Sequence, residues 1–419
     1  MTQLARQTGF EKHSKSKIKA HSLLLSFFKM IAVEQTSYSS WASIYSTQVN
    51  QPVSKQAIFK RMNSSWIQLL KLLIEKHLQT LLKINASSQT HHPFKNIYIQ
   101  DSTCLKLPDV LNTLYPGNVS RGLLKAVLKI NVVLNVTKSM CHSFSISSFK
   151  TNEQSLAGDV FRYAKKGDLI LRDLGYYALK VFHTMKQKGI HFISRQKYRV
   201  ALFDAKTNKE ISLISLLKKT NYIIDKEILC GKKEKLPVRL VAIKLDNKKA
   251  NERRRKARHD RDRRVNHSSE YYYMLGYIIF ITSVDQQTCT VKQIAKLYGI
   301  RWQIETLFKS WKSGIKIDSL LPKIQYKSER IQGVIYMFML YIIWFEQKIK
   351  VPLMLIAKAG SNKNISVIKL MKLIKTNLHI YLMEGSCFKI NKILHLCFYE
   401  KRKRVNAIEC LDNLLDGFG

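Results

Sequence analysis

The stretch Tyr298–Lys312, YGIRWQIETLFKSWK, sets one carboxylate among side chains that grasp anions. At ~100° of turn per helical residue, Arg301, Glu305 and Lys312 fall within ~40° of one another and Tyr298 within ~60°. They share a face, and the chemistry open to such a face is that of an acid working beside bound phosphate. Ile304, Leu307, Phe308 and Trp311 gather on the neighbouring face as an apolar stripe that would hold the helix against a core. The plainer alternative is a solvated face with one Arg301–Glu305 pair at i,i+4, worth ~0.3–0.5 kcal/mol.

Two aspartates elsewhere stand at the ends of strands. NIYIQ (96–100) is short, β-branched and aromatic, and Asp101-Ser102-Thr103 ends it. Asp101 is thereby placed to present its carboxylate at a sheet edge, with a plain Asx turn as the competing reading. Alternation over 124–136 and 143–149 gives two more strands, and 151–164 reads as a helix. DLILRD, Asp168 to Asp173, is a buried strand leading into Leu174-Gly175-Tyr176-Tyr177 and a helix. Asp168 follows Lys165-Lys166-Gly167 and only opens that strand. Asp173 closes it, beside a glycine that permits close backbone approach.

More than a hundred residues separate Asp173 from Glu305, far beyond one βα connection, so something is inserted between them. Residues 198–283 are strand-rich, interrupted by KKANERRRKARHDRDRR (248–264), in which ten of seventeen residues are Lys or Arg, among them Arg253, Arg254 and Arg255. This reads as a mobile solvated loop and, with DNA present, as the strongest local phosphate-binding segment. Thr290 and Gln293 form a capping-box pattern opening the helical stretch that reaches Lys312, with Gly299 placed to bend or split it. A connector (318–325), a buried helix (328–348) and a further helix (365–382) follow.

With 71 Lys+Arg against 29 Asp+Glu, the formal net charge is +42 while 46% of residues are hydrophobic. In a folded chain that excess points to a polyanion, and to nucleic acid before a membrane surface, because the bases are spread along the whole length. Seven cysteines without a C-x-x-C pair argue against a zinc module or a disulfide framework and for reduced cytoplasmic thiols. The opening MTQLARQTGFEKHSKSK has no apolar h-region, and the longest apolar run, Val334–Phe345, falls short of the ~20 residues needed to span a bilayer.

Residues 23–84 are helical in pattern and free of glycine. SWASIYSTQVNQPVSKQAIFKRM (40–62) reads as helix, turn, helix, with Ser54 as N-cap and Ala57, Ile58 and Met62 turned inward. Lys55, Gln56, Phe59, Lys60 and Arg61 are left largely outside. If this is a helix-turn-helix, its second helix enters the major groove and Lys55, Gln56, Lys60 and Arg61 are candidate DNA contacts; a small bundle with a charged face is the alternative. The amphipathic helix 66–84 would close this domain or pair with another subunit, and His91-His92-Pro93 marks a boundary.

The order Y-x2-R-x3-E-x6-K, filled by Tyr298, Arg301, Glu305 and Lys312 with Trp302 and Trp311 alongside, resembles the signature of bacterial insertion-sequence transposases of the DDE class, in the family named after insertion sequence four. IQDST around Asp101 and DLGYY from Asp173 resemble that family's two aspartate regions. The resemblance implies a catalytic, metal-binding triad of Asp101, Asp173 and Glu305 holding two Mg²⁺ or Mn²⁺ ions, with Tyr298, Arg301, Trp302 and Lys312 on the DNA. Such ions activate the attacking oxygen and stabilise the leaving one in displacement at phosphorus, and hard cations prefer carboxylate oxygens. Three acids clustered for any other purpose would be wasteful in so basic a chain.

The implied fold is a ribonuclease-H-like mixed sheet in the α/β class; periodicity alone gives mixed α/β. The expected organisation is a helical DNA-binding domain (1–92), a first part of the catalytic core (93–197), a strand-rich basic insertion (198–285), a second part of the core with the glutamate helix (286–348) and a helical C-terminal region with dimer contacts (349–419). The expected activity is metal-dependent DNA cleavage and strand transfer at terminal inverted repeats and target DNA, by a homodimer in the bacterial cytoplasm. A catalytically inactive, transposase-derived DNA-binding protein and a basic RNA-binding protein are the alternatives; no aromatic stacking motif favours the latter.

Overall fold

The computed structural model describes residues 1–13, 16–33, 37–84, 93–138, 140–219, 222–259, 267–315, 317, 327–361, 363–384 and 393–399. The expected connector (318–325) and the basic tail from Lys401 lie outside the described residues.

Alternating segments in the middle of the chain form one mixed sheet of eleven strands. In chain order they are β1 (Ile97–Leu107), β2 (Pro116–Ser120), β3 (Leu123–Asn135), β4 (Met140–Ser148), β5 (Leu169–Arg172), β6 (His191–Arg195), β7 (Leu202–Asp204), β8 (Glu210–Ile211), β9 (Ile223–Cys230), β10 (Leu236–Lys244) and β11 (Tyr277–Thr282). Their order across the sheet is β2-β3-β1-β5-β6-β11-β10-β9-β7-β8, with β4 on β3. β1 runs antiparallel to β3 but parallel to β5, β5 is parallel to β6, and β11 returns antiparallel on β6. The strands of the inserted segment therefore extend the same sheet.

Both faces of that sheet are covered. Ile97, Ile99, Leu169 and Leu171 belong to one core cluster, while Tyr98 and Ile170, one residue out of phase, belong to the other. The helices are α1 (Thr2–Gln7), α2 (Ala20–Val33), α3 (Tyr38–Val49), α4 (Lys55–Arg61), α5 (Ser64–Ile84), α6 (Leu179–Gln187), α7 (Leu213–Lys219), α8 (Asn247–Arg258), α9 (Ser269–Met274), α10 (Val291–Gly299), α11 (Trp302–Lys309), α12 (Ser328–Phe345), α13 (Val351–Ser361) and α14 (Val367–Glu384). Leu23, Trp41 and Trp66 from the N-terminal helices share the first cluster with Ile304 of α11 and Phe338 of α12. Val160, Phe182 and Leu217 fill the second.

Several elements differ from the sequence expectation. The strand expected over 96–100 runs on to Leu107, because the period of two continues through Thr103 to Leu105 and Leu107, all buried. The segment 151–164 is a 3₁₀ helix over Glu153–Arg162. Much of the basic stretch expected as a loop is helix α8: Asp246 caps it by accepting from the Lys249 N–H at 2.8 Å, and Lys, Arg, Glu and Ala all favour the helical state. The capping box at Thr290 and Gln293 forms as expected. Helix then breaks: α10 ends at Gly299, α11 begins at Trp302, and a π-helical turn follows over Ser310–Ile315. Ser54 caps α4 by accepting from the Ala57 N–H, so α3 and α4 form as two helices separated by a short turn. Among the described residues no helix is long and apolar enough to cross a membrane.

Candidate active site

The parallel pairing of β1 with β5 ends at Gln100 opposite Arg172. The next residues are Asp101 and Asp173, so two carboxyl groups leave neighbouring strands at the same level. Asp101 follows the phase of Ile97 and Ile99, and Asp173, still extended at φ −78° and ψ 163°, follows that of Leu169 and Leu171. That is the face on which α11 buries Ile304, Leu307 and Phe308. Burial of each such side chain stabilises by roughly 1.5–3 kcal/mol, enough to fix where α11 sits, and Ile304→Asp is the single change that would lift it. Glu305, next to Ile304, then faces the two aspartates.

What joins them is Arg301. Its Nη1 lies 3.4 Å from Asp101 Oδ2, its Nε 3.9 Å from Asp173 Oδ1, and its Nη2 donates to Glu305 Oε1. Side-chain exposure is 17% for Arg301, 18% for Asp101, 38% for Asp173 and 35% for Glu305, so water reaches Asp173 and Glu305 better than it reaches Asp101 or the base. One cation serves three carboxylates. Burial pushes the Asp101 carboxyl up to about 6, helped by the charges of Asp173 and Glu153, although the Ser102 N–H donates to it at 2.7 Å and Arg301 opposes the rise. Arg301 moves up as well: burial alone would lower it, and Asp173, Tyr298 and Glu305 outweigh that.

Among the described residues no three His, Cys, Asp or Glu side chains stand at the separations of a loaded metal site. The guanidinium contacts all three acids instead. The donors are hard oxygens from three separate elements, two of them open to water, and they suit a hard divalent cation by type.

The other sequence-picked residues fall into two groups. Trp302 is 61% exposed beside Arg301, Lys312 is exposed on the π-helical turn, and Lys55, Gln56, Lys60 and Arg255 are exposed on α4 and α8. The second group is turned inward. Tyr298 turns inward: its hydroxyl donates to the Arg172 carbonyl at 3.2 Å and its ring packs 4.9 Å from Phe280, with the Arg301 guanidinium 6.0 Å from the same ring. Arg61 is also held inside, over the Phe10 ring at 4.4 Å and donating to Ser16 Oγ at 2.8 Å, while Phe59 lies beneath the Arg330 guanidinium. Arg253 donates to the Tyr277 carbonyl at 2.7 Å and Arg254 to that of Tyr272 at 3.1 Å, tying α8 down. Asp168, as expected, only makes a corner, accepting from Asn96 Nδ2 and the Lys165 N–H at 2.8 Å each.

The sequence reading passed over Arg172 and Glu153. Arg172 is fully buried and donates to Gln100 Oε1 at 2.7 Å and the Ala157 carbonyl at 2.9 Å, locking β1, β5 and the 3₁₀ helix together just behind the aspartates. The only local signal was a base ending an apolar run, which reads equally well as an exposed strand end.

Fold and site together define an α/β protein with an acidic centre in a strongly basic chain. The chain belongs to the transposase DDE domain family, which matches residues 92–329, more than half its length and all three carboxylates. It is similar to the transposase for insertion sequence element IS231B of Bacillus thuringiensis subsp. berliner, 26% identical over 364 residues, covering 80% of this chain and 74% of that one. It is also similar to the transposase for IS231E of B. thuringiensis subsp. finitimus, 28% identical over 359 residues, covering 80% and 73%. Among solved structures, the piggyBac transposase synaptic complex with hairpin DNA overlaps 96% of this chain and 82% of that chain at a TM-score of 0.42 and 8% identity.

Proposed function

We propose that this DDE-family transposase binds the terminal inverted repeats of its element, cleaves DNA there and joins the freed 3′-hydroxyl to target DNA, with Asp101, Asp173 and Glu305 as its catalytic acids. The observation that carries this reading is the convergence of those three carboxylates, from within β1, from the end of β5 and from α11, on the single guanidinium of Arg301. Asp101, Asp173 and Glu305 would hold two Mg²⁺ or Mn²⁺ ions. When bound, such ions supply activation of the attacking oxygen and stabilisation of the leaving one.

Arg301 offsets part of the charge of the three acids in the free protein and offers a planar fork to a phosphate once DNA arrives. Exposed Trp302 and Lys312 flank it on the same segment and extend the DNA-binding surface, in keeping with the signature of the family named after insertion sequence four. Tyr298 contributes by tying α10 to the strand that carries Asp173. The sheet order around β1, with β3 antiparallel and β5 parallel, supports a ribonuclease-H-like core. Recognition of the ends falls to α4, through Lys55, Gln56 and Lys60, and Arg255 on α8 adds a phosphate contact that carries no sequence information. The active assembly is a homodimer on DNA in the bacterial cytoplasm.

The test is cleavage of a duplex carrying the element end by the purified full chain. Nicks at the end in Mg²⁺ or Mn²⁺, abolished by chelator, are expected. Tight end binding with no cleavage under any divalent ion would instead favour a DNA-binding protein without activity.

A further inference from the structure

A fourth carboxylate stands beside the three. Glu153 opens the 3₁₀ helix Glu153–Arg162, whose cap Asn152 accepts from the Gln154 N–H at 3.0 Å. Its Oε1 accepts from the hydroxyl of Ser102, the residue after Asp101, at 2.6 Å. Lys129 Nζ lies 3.8 Å from the same oxygen and donates to the Thr151 carbonyl at 2.9 Å. The other oxygen, Oε2, lies against Gly175, two residues after Asp173, so close that a Cβ there would overlap it.

Glu153 thus touches the segments that follow both aspartates. Its helix cannot drift from the sheet, because Arg172 holds the Ala157 carbonyl at 2.9 Å. The nearby Tyr176 hydroxyl is buried without a hydrogen-bond partner among the described residues, and its pKa is raised by burial and then by the charges of Glu153 and Asp101, which places all three groups in one neighbourhood. An O–H···O⁻ bond of this length is of the strong, charge-assisted kind.

We infer that Glu153 is a positioning residue: it clamps Ser102, thereby fixes the Asp101 carboxylate relative to Asp173, and is the reason residue 175 is glycine. The inference rests on the reading of Asp101 and Asp173 as catalytic, and its test has one arm that does not depend on that reading. In the full chain, hydrogen exchange of the β1 amides around Ser102 should quicken in Glu153→Ala and stay near wild type in Glu153→Gln, which keeps an acceptor. Unchanged exchange in Glu153→Ala would overturn the clamp.

In the cleavage arm, Glu153→Ala should slow cleavage by ~10–100-fold with end binding and melting temperature nearly unchanged, since misplacing a reacting group by about 1 Å can cost ~100-fold. Glu153→Gln should recover most of the rate. Ser102→Ala should match Glu153→Ala, and the double variant should be no slower than either single one, because both remove one contact. Gly175→Ala should also be slow, and adding Glu153→Ala to it should bring no further loss. Wild-type cleavage by Glu153→Ala, or additive losses in the doubles, would overturn the inference. If exchange shows the clamp while wild type does not cleave, or Asp101→Asn cleaves normally, the reading of the site falls and the clamp stands.

Discussion

Arg239 on β10 and Arg301 beside α11 are both largely buried, and both meet aspartate. Arg239 pairs with Asp225 through Nε to Oδ1 at 2.7 Å and Nη2 to Oδ2 at 2.9 Å, and its Nη1 donates to the carbonyls of Asp285 at 2.8 Å and Cys289 at 2.7 Å. One base meets one acid, and what remains of the base is satisfied by backbone. Asp225 falls below the usual carboxylate range: burial would raise it, but hydrogen bonds from Arg239 and Gln286 prevail. Arg301 is shared among three acids, and its neighbour Asp101 rises to about 6. The first arrangement is complete as it stands. The second holds more negative charge than its own base can balance, which a folding role alone does not require and a cation- and phosphate-handling role does.

Substituting the two arginines sharpens this contrast most. Arg301→Ala should cut cleavage by ~100-fold, since phosphate placement is lost, while costing less stability than the loss of Arg239, because Asp173 and Glu305 can hydrate and the raised Asp101 carboxyl can take up a proton. Arg239→Ala should do the reverse, destabilising by about 3–5 kcal/mol in urea unfolding, as expected when a buried pair loses one partner, while the folded fraction cleaves normally. Equal stability losses with unchanged cleavage in both would erase the distinction.

A smaller effect separates the two aspartates. Asp101 binds its proton more tightly folded than unfolded, so its charge opposes folding above about pH 6, and that penalty disappears as pH falls toward the unfolded value of 3.8. A rise of this size corresponds to roughly 2–3 kcal/mol. Thermal unfolding without metal should therefore find Asp101→Asn more stable than wild type at pH 7, with the gap closing near pH 4.5. Asp225→Asn should be less stable than wild type at pH 7, because its folded carboxyl sits low. Loss of stability at pH 7 in Asp101→Asn would contradict the charge imbalance.

Much of the site could be read locally. Asp173 was legible because it closes a buried strand, and Arg301 with Glu305 because the backbone stays helical from the cap of α11 into its first turn and keeps the i,i+4 spacing; Asp101 was picked as a strand end but lies inside β1, paired with Val132, at the level where the pairing with β5 stops. Tyr298 was placed outward by arithmetic that assumes one continuous helix, whereas its hydroxyl turns in to the Arg172 carbonyl; Lys312 is exposed, on the π-helical turn that opens at Ser310. Helix α8 was hidden by its own charge, since a basic run suggests solvation, although the cap at Asp246 and the helix-favouring Lys, Arg, Glu and Ala that follow it suggest helix. Arg61 turns inward to meet Phe10, and Glu153 meets Ser102 across 51 positions. Contacts of that range leave no periodic mark in a sequence.

The most direct test of the catalytic centre is single-turnover cleavage of element-end duplex in Mg²⁺ by Asp101→Asn, Asp173→Asn and Glu305→Gln, with end binding measured on the same preparations. Each should lose more than ~100-fold in rate, as expected when a group acting at the reacting phosphate is removed, and bind the end as wild type does. Cleavage at the wild-type rate by any one of them would contradict the assignment of the three carboxylates as the active site.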